Sequence, residues 1–458
     1  MALICSVSGL RFTLEDFSPE LIEGMLRSFC RRLPEGTLAV GWDGRQGAEQ
    51  LEEFAVAILQ TEERRIHRLG IVPTPTIQTW IARRRLAGGI AITASHNPAD
   101  WHGLKFFGAD GLTLDATLFY REARSGGAPH PNGHQHGFHP VRWMHAQAVA
   151  EHLRSLWRPR WLRQLGERIL PEGFHVVVDA VNASASSILP QLLQQLRCRL
   201  TLLHADGSGI FPHPPEPLPE HLQELAAWVR RTGADLGLAI DPDADRLVLV
   251  DETGTCLWEE LTIALAMQAV LENRQAACGK DYQPVIVVNY STSSVVDAVA
   301  RTYGARVLRS PVGEVNVVHL LRQTRGVLGG EGSGGVIVPH VHYGRDALVG
   351  TLLILGLLAQ KQRRLSELVA ELPRPIMRKH VFARPESLAP LFEQLLRRLT
   401  PQAAEIRRDD GLYARIGNGW LHLRASNTEP ILRFIVEAPT RAEVEQLEAL
   451  VLPFLQQR

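Results

Sequence analysis

A multi-domain α/β fold is predicted by three observations. The first is length, since 458 residues exceed what one hydrophobic core organises and fit three or four domains. The second is a series of apolar runs at 38–41, 89–92, 175–179, 236–240 and 285–289, each ending at a polar turn and separated from the next by helical stretches. The third is a change of pattern past Pro373-Arg374-Pro375, where a final α+β segment begins.

The domain boundaries follow from local composition. The first falls near residue 150, after a stretch at 125–139 rich in Gly, Pro and His. His130, His134, His136 and His139 read there as a solvated linker, because no acidic or cysteine partner accompanies them in a metal-ligand pattern. The second boundary falls near Gly254 and the third near Pro373, which divides the chain into 1–150, 151–254, 255–372 and 373–458.

With 45% apolar and 21% charged residues, the composition is that of a globular protein. A formal net charge of zero gives no reason to expect a nucleic-acid or anionic membrane partner, so any anion specificity must come from local loops. Cys5, Cys30, Cys198, Cys256 and Cys278 are odd in number and lack CxxC spacing, which implies neither a disulfide framework nor a zinc site. The run at 347–359 is too short to span a bilayer, and the N-terminus carries no charged, apolar leader pattern. A cytoplasmic location is the expectation.

Four loops carry the chemistry. The segment Thr93-Ala94-Ser95-His96-Asn97-Pro98 follows the apolar run at 89–92 and breaks at Asn-Pro, so Ser95 sits at a turn that exposes its hydroxyl. It reads either as a backbone turn or as a nucleophile. The loop Asp241-Pro242-Asp243-Ala244-Asp245-Arg246 places three carboxylates at alternate positions between apolar runs, where a bound Mg²⁺ would relieve their repulsion. A calcium loop would put Glu252 at its twelfth place. That reading is disfavoured by Arg246 where glycine is needed and by a strand-like run at 247–250.

The third loop, Gly329-Gly330-Glu331-Gly332-Ser333-Gly334-Gly335, contains a dinucleotide spacing, but the β-branched Val336-Ile337-Val338 follows instead of a helix. It reads as a receptor for sugar hydroxyls through one carboxylate and one hydroxyl, or as a simple hairpin turn. The fourth, Arg424-Ala425-Ser426-Asn427-Thr428-Glu429-Pro430, offers a guanidinium, hydroxyls, an amide and loop N–H groups suited to a phosphate dianion. The turns at 179–184 and 289–294 are ligand-binding candidates or helix caps.

In this order, and from Ser8-Gly9-Leu10-Arg11 to the Arg424 loop, the motifs resemble the α-D-phosphohexomutase superfamily of phosphoglucomutases, phosphomannomutases and phosphoglucosamine mutases. The resemblance implies three consecutive mixed α/β domains of related topology plus a C-terminal α+β domain, arranged around a central active-site cleft. Their respective tasks would be the phosphoserine, the metal, the sugar and the distal phosphate.

It further implies that Ser95 carries the transferable phosphoryl group, that Asp241, Asp243 and Asp245 hold Mg²⁺ beside it with Ser95, and that His96, Lys105, Arg11 and Arg246 complete the catalytic set. Glu331 and Ser333 match the sugar contacts; Arg424, Ser426, Asn427 and Thr428 match the distal phosphate site. The reaction implied interconverts hexose 1- and 6-phosphates through a sugar 1,6-bisphosphate, which is intermediate and activator, in a monomer or homodimer. Phosphoryl transfer depends on positioning and charge neutralisation, and a distal phosphate clamp converts remote binding into orientation.

The chain departs from the family pattern at three places. Gly335 stands where many members have histidine, which leaves His340 or His342 as the expected proton-handling group; Phe12 stands where glycine is usual and is expected to crowd Arg11; and Ser310-Pro311-Val312-Gly313-Glu314 lacks the Gly-His of dual-specificity phosphomannomutases. The glycine-rich loop followed by Tyr343-Gly344-Arg345-Asp346 leans toward phosphoglucosamine mutase, with phosphoglucomutase/phosphomannomutase as the alternative. A phosphatase would not need the fourth loop, and a non-catalytic sugar-phosphate sensor would not need Ser95 or the aspartates.

Overall fold

The computed structural model describes residues 3–125, 140–278, 283–385, 387–426 and 431–455. Four sheets follow one another along the chain. The first has seven strands, with Thr37–Trp42 between Gly88–Ile92 and Arg65–Ile71. The second has four, built on His175–Asp179 and Leu236–Ile240, and the third has four, built on Val285–Asn289 and Leu328–Glu331. The last is a five-stranded antiparallel sheet from Ile376–Ala383 to Ile431–Ala438.

The first three sheets share one device. A parallel core strand turns back on itself and pairs antiparallel with the next strand: Gly88–Ile92 with Trp101–Phe107, Leu236–Ile240 with Leu247–Asp251, and Leu328–Glu331 with Gly335–Ile337. The core strands read as unbroken apolar runs because helices cover both faces of a parallel sheet. Each turn-back connection therefore projects from the end of a buried strand, and it is on these three connections that Ser95, the aspartates and Glu331-Gly332-Ser333 lie.

The boundary expected near residue 150 falls within the helix His145–Leu156, and the strand before it, Val141–Trp143, pairs with Arg65–Ile71 of the first sheet. Tertiary packing corrects other expectations. The loop expected at 329–335 is mostly strand, with a turn only at 332–334, and Arg424 stands on the strand Gly419–Ala425 instead of in a loop. Phe12 does not crowd Arg11: strand alternation sends it to the opposite face, where it is fully buried and 5.9 Å from the ring of Phe17. The segment 347–359 lies in the helix Ala347–Lys361, buried between Arg160–Ile169 and Glu260–Cys278; among the described residues, no helix is long and apolar enough to cross a membrane. The histidines at 130, 134, 136 and 139, with Asn427 and Thr428, lie outside the described residues.

One apolar core runs through the first three units, from Trp80 through Val178 and Ile240 to Leu353. The fourth unit has its own core around Phe434 and meets the third through Tyr290 stacked on Tyr413, with ring centroids 5.1 Å apart. The other face of the first sheet is filled by Phe29, Phe106 and Phe119, with Phe106 5.1 and 5.0 Å from its two neighbours. Phe106→Ala is expected to cost about 3–5 kcal/mol through lost transfer energy and the cavity left behind, read as a lowered urea midpoint at unchanged slope.

Candidate active site

The three turn-back connections and the fourth sheet surround a cleft of about 370 Å³. Ser95 lies buried beneath its floor, next to His96, which lines it. The backbone of Ser95 is left-handed, with φ of 52°, a conformation that costs energy for any residue with a side chain. Two contacts hold it there: Ser95 N–H donates to Thr93 Oγ1 at 2.8 Å, and Arg45 Nη2 donates to Ser95 O at 2.7 Å. Thr93 and Arg45 are in turn fixed by Asp43, which accepts from Thr93 Oγ1 at 2.6 Å and from Arg45 Nε at 2.9 Å in a fully buried ion pair. The hydroxyl is not solvent-exposed as expected from a turn. Ser95 is 1% exposed, and its Oγ donates to Asp241 Oδ2 at 3.0 Å.

Asp241, Asp243 and Asp245 are all buried, and one carboxylate oxygen of each lies within 4.8 Å of the others. Their loop closes tightly because Ala244 adopts a φ of 54° and Asp241 Oδ1 accepts the N–H groups of Asp245 and Arg246, each at 3.0 Å. Lys105 Nζ reaches Asp243 at 2.6 Å and Asp245 at 3.3 Å, while Thr74 Oγ1 donates to Asp243 at 2.7 Å. Even so, Asp243 Oδ1 and Asp245 Oδ1 are buried with no hydrogen-bond partner. A dry, all-oxygen donor set with orphaned lone pairs fits a hard divalent cation such as Mg²⁺.

Cations line the rest of the floor. Arg11 and Arg246 face the cleft, and Arg11 Nη1 and Arg246 Nε are buried without hydrogen-bond partners. His96 Nδ1 is 3.5 Å from Ser95 Oγ, and its Nε2 is 3.8 Å from Glu216. Across the cleft, Arg424 Nε donates to Asp410 at 3.1 Å and its Nη2 lacks a partner; Arg433 lies beside it on the neighbouring strand. Ser426, like Ser333, lines the same cavity.

At the third connection, Glu331 accepts from Asn289 Nδ2 at 2.7 Å and from Gly313 N–H at 3.0 Å. Arg345 joins the loops: it contacts Asp245, Glu331 at 2.8 Å and Glu314 at 3.4 Å. A Cβ at Gly335 would lie 2.3 Å from Arg345 Cδ, so Arg345 fills the space that a side chain at 335 would need. Neither His340 nor His342 lines the cleft. His340 pairs with Arg274, and His342 donates to Asp346 at 3.0 Å, so the expectation that one of them serves the sugar is not met.

Comparison with known proteins resolves what this arrangement is. The phosphoglucomutase/phosphomannomutase domain models match in order: alpha/beta/alpha domain I at residues 4–118, domain II at 151–254, domain III at 259–376 and the C-terminal domain at 367–453. The chain belongs to the phosphoglucomutase/phosphomannomutase family. It is 33% identical to a probable phosphoglucosamine mutase of Methanopyrus kandleri over 452 residues, covering 96% of this chain and 95% of that one. It is 30% identical to a phosphoglucomutase/phosphomannomutase of Thermococcus kodakarensis over 436 residues, covering 92% and 90%.

Among solved structures, a phosphoglucomutase/phosphomannomutase family protein from Burkholderia thailandensis shares the fold with a TM-score of 0.79 at 23% identity, covering 99% of this chain and 96% of that one. Aspergillus fumigatus N-acetylphosphoglucosamine mutase, solved with GlcNAc-6P and magnesium, shares it at 0.57 and 14%, covering 100% and 95%.

Burial sets the electrostatics of this phosphohexomutase site. Asp241 is pushed well above the usual carboxylate range by burial and by Asp245 and Asp243. Asp243 is pulled below it, because Lys105 and Thr74 outweigh the burial cost. Burial, with Arg246 beside it, brings Arg11 down to about 10. Burial and the surrounding arginines hold His96 neutral, well below its ordinary value.

Several cleft residues escaped the sequence reading. Asp43 and Arg45 could have been found from the polar turn that directly follows Thr37–Trp42, and Arg433 from its alternate position between Leu432 and Phe434. Glu260 had no sequence signal. It lies under Gly332, accepts from Ser293 N–H at 2.9 Å, and burial raises it to about 7. A carboxyl raised in the folded state binds its proton more tightly than the unfolded chain does, so its contribution is present at acid pH and is lost as pH rises from about 4.5 to about 7. Glu260→Gln should therefore gain stability over the parent across that window, up to about 3 kcal/mol, read as a Tm difference that widens from pH 5 to pH 8.

Proposed function

We propose that this phosphohexomutase transfers phosphate through Ser95 and that its preferred substrate is an amino sugar, glucosamine 6-phosphate or its 1-phosphate isomer. The observation that carries the Ser95 assignment is a buried hydroxyl, held by a strained backbone against an aspartate triad just beneath a cleft that Arg424, Arg433 and Ser426 also line. One phosphate would lie at Ser95 and the other at those three residues. A phosphatase would have no use for the second anion site.

Asp241, Asp243 and Asp245 would hold the divalent ion, with an oxygen on Ser95 as a further ligand; when bound, Mg²⁺ supplies neutralisation of the charge that develops on the transferring phosphoryl group. The protein supplies the rest. Asp43, Arg45 and Thr93 orient Ser95, while Lys105, Arg11 and Arg246 place donors around it. Neutral His96 adjoins the serine oxygen. Glu331 and Ser333 would take sugar hydroxyls, and Arg424 and Ser426, with Asn427 and Thr428, the distal phosphate. After the first transfer, the bisphosphate would turn over within the cleft and return its other phosphate to Ser95. Sugar 1,6-bisphosphate would thus serve as both intermediate and activator.

The amino-sugar preference is supported by the names of relatives at about 30% identity, several of them probable phosphoglucosamine mutases.

Side-by-side kcat/KM on glucosamine 6-phosphate, glucose 1-phosphate and mannose 1-phosphate, with phosphate release followed, tests both parts. The amino sugar is expected to lead by at least tenfold, and Ser95→Ala to lose about 10³-fold or more in turnover. Turnover of glucose 1-phosphate or mannose 1-phosphate equal to that of the amino sugar would overturn the preference. Steady phosphate release without isomerisation would overturn the mutase assignment for Ser95.

Mg²⁺ at a hundred times its Kd should stabilise the parent by about 2.7 kcal/mol, seen as a raised Tm. Asp241→Asn/Asp245→Asn should abolish that shift.

A further inference from the structure

A second cluster of ligating side chains lies apart from the aspartate triad, on the second sheet. Asp179 ends the strand His175–Asp179 and is 2% exposed. Its Oδ1 accepts from Val181 N–H at 3.0 Å, which leaves Oδ2 to face two imidazoles: His204 Nδ1 at 3.1 Å and His213 Nε2 at 2.9 Å. The two rings are 5.6 Å apart and inclined at 72°, and each side chain is 18% exposed.

We propose that Asp179, His204 and His213 form a metal site for a zinc-type divalent transition ion, bound by two imidazole nitrogens and one carboxylate oxygen with a fourth position open to solvent.

The geometry and the donor chemistry both support this. Three protein ligands around a tetrahedral ion with bonds of about 2.0 Å lie about 3.3 Å from one another, close to the two distances found here. His213 Nδ1 donates to Pro214 O at 2.9 Å, the outer hydrogen bond that fixes a histidine with its other nitrogen facing a metal. His204 Nε2 is similarly engaged, 3.5 Å from Glu224.

The segment carrying both histidines is held in place by Asn182. Its N–H donates to His204 O at 2.5 Å, its Nδ2 to Ile210 O at 2.9 Å, and its carbonyl accepts from Gly209 N–H at 2.8 Å. His204 is held in the left-handed region with φ of 45°, so the ligand set is formed before any ion arrives. Two imidazoles and one carboxylate select zinc, cobalt or nickel over magnesium, whereas the all-oxygen triad has the opposite preference.

The segment also bears on the active site. Gly209 packs so closely that a Cβ there would lie 1.9 Å from Gly44 O, the guanidinium of Arg45 sits 5.5 Å from the Phe211 ring, and Glu216 is 3.4 Å from Arg246. An ion at Asp179 would pin this segment against the loop that orients Ser95.

Cobalt, as a visible stand-in for zinc, tests the proposal. With saturating Mg²⁺ present, the full-length protein should take up Co²⁺ with the visible bands of a four-coordinate site. His204→Asn/His213→Asn should weaken that uptake at least tenfold, while keeping a cooperative melt and the Mg²⁺-dependent Tm shift. Equal cobalt binding in parent and variant, or no binding in the parent, would overturn the site. Anomalous diffraction at the zinc edge from zinc-soaked parent crystals decides the question even if the variant fails to fold: a peak bonded to His204 and His213 supports it, and a peak only elsewhere overturns it.

Discussion

Three carboxylates in a dry loop have to be neutralised, and the way this chain does so ties its parts together. Asp241, Asp243 and Asp245 belong to the second sheet unit, yet their partners come from elsewhere: Ser95, Thr74 and Lys105 from the first unit, Arg345 from the third. Charges removed from water are tolerated only when paired and hydrogen-bonded. The triad is therefore a junction, and the arrangement that satisfies it brings together Ser95, the aspartate loop and the Glu331-Gly332-Ser333 connection.

The repeated turn-back strand explains how this convergence is reached. Each of the first three sheets ends a buried core strand in a short connection to an antiparallel neighbour, and each connection carries one part of the chemistry. Strands fully covered by helices are rigid, so the connections start from fixed points. A shared apolar core from Trp80 to Leu353 keeps the three units in register, while the fourth has its own core and meets the third through Tyr290 on Tyr413 and through polar contacts such as Lys379 with Glu259 and Ser294 N–H with Glu437.

Charge at the cleft is balanced in two tiers. Lys105 and Arg345 neutralise aspartates directly, whereas Arg11, Arg246 and Arg424 keep buried nitrogens without partners. The first tier ties the carboxylates of separate units together; the second presents cationic donors that an anion in the cleft could engage. Arg345 bridges the aspartate loop and the third connection, since it contacts Asp245 and Glu331 at once, and the absence of a side chain at Gly335 gives it room.

By itself, the sequence determined the α/β class, the four-part organisation and most of the residues around the cleft, because these are recorded in short contiguous patterns: apolar runs that end in Ser-His-Asn-Pro, Asp-Pro-Asp-Ala-Asp or Gly-Glu-Gly-Ser. Only tertiary structure decided what those residues touch. The hydroxyl of Ser95 was legible as a turn but not as a buried donor to Asp241, a residue distant in the chain. Phe12 looked obstructive until strand alternation carried it to the far face, and His342 looked available until Asp346 claimed it. Glu260 entered the site through contacts between remote segments, which leave no local spacing to read, and the contacts of Asp43, Arg45 and Arg345 with Thr93, Ser95, Glu331 and Asp245 were not legible either. Local patterns fix which groups a loop can offer, whereas desolvation and pairing across the fold decide which of them are charged, held or free to react.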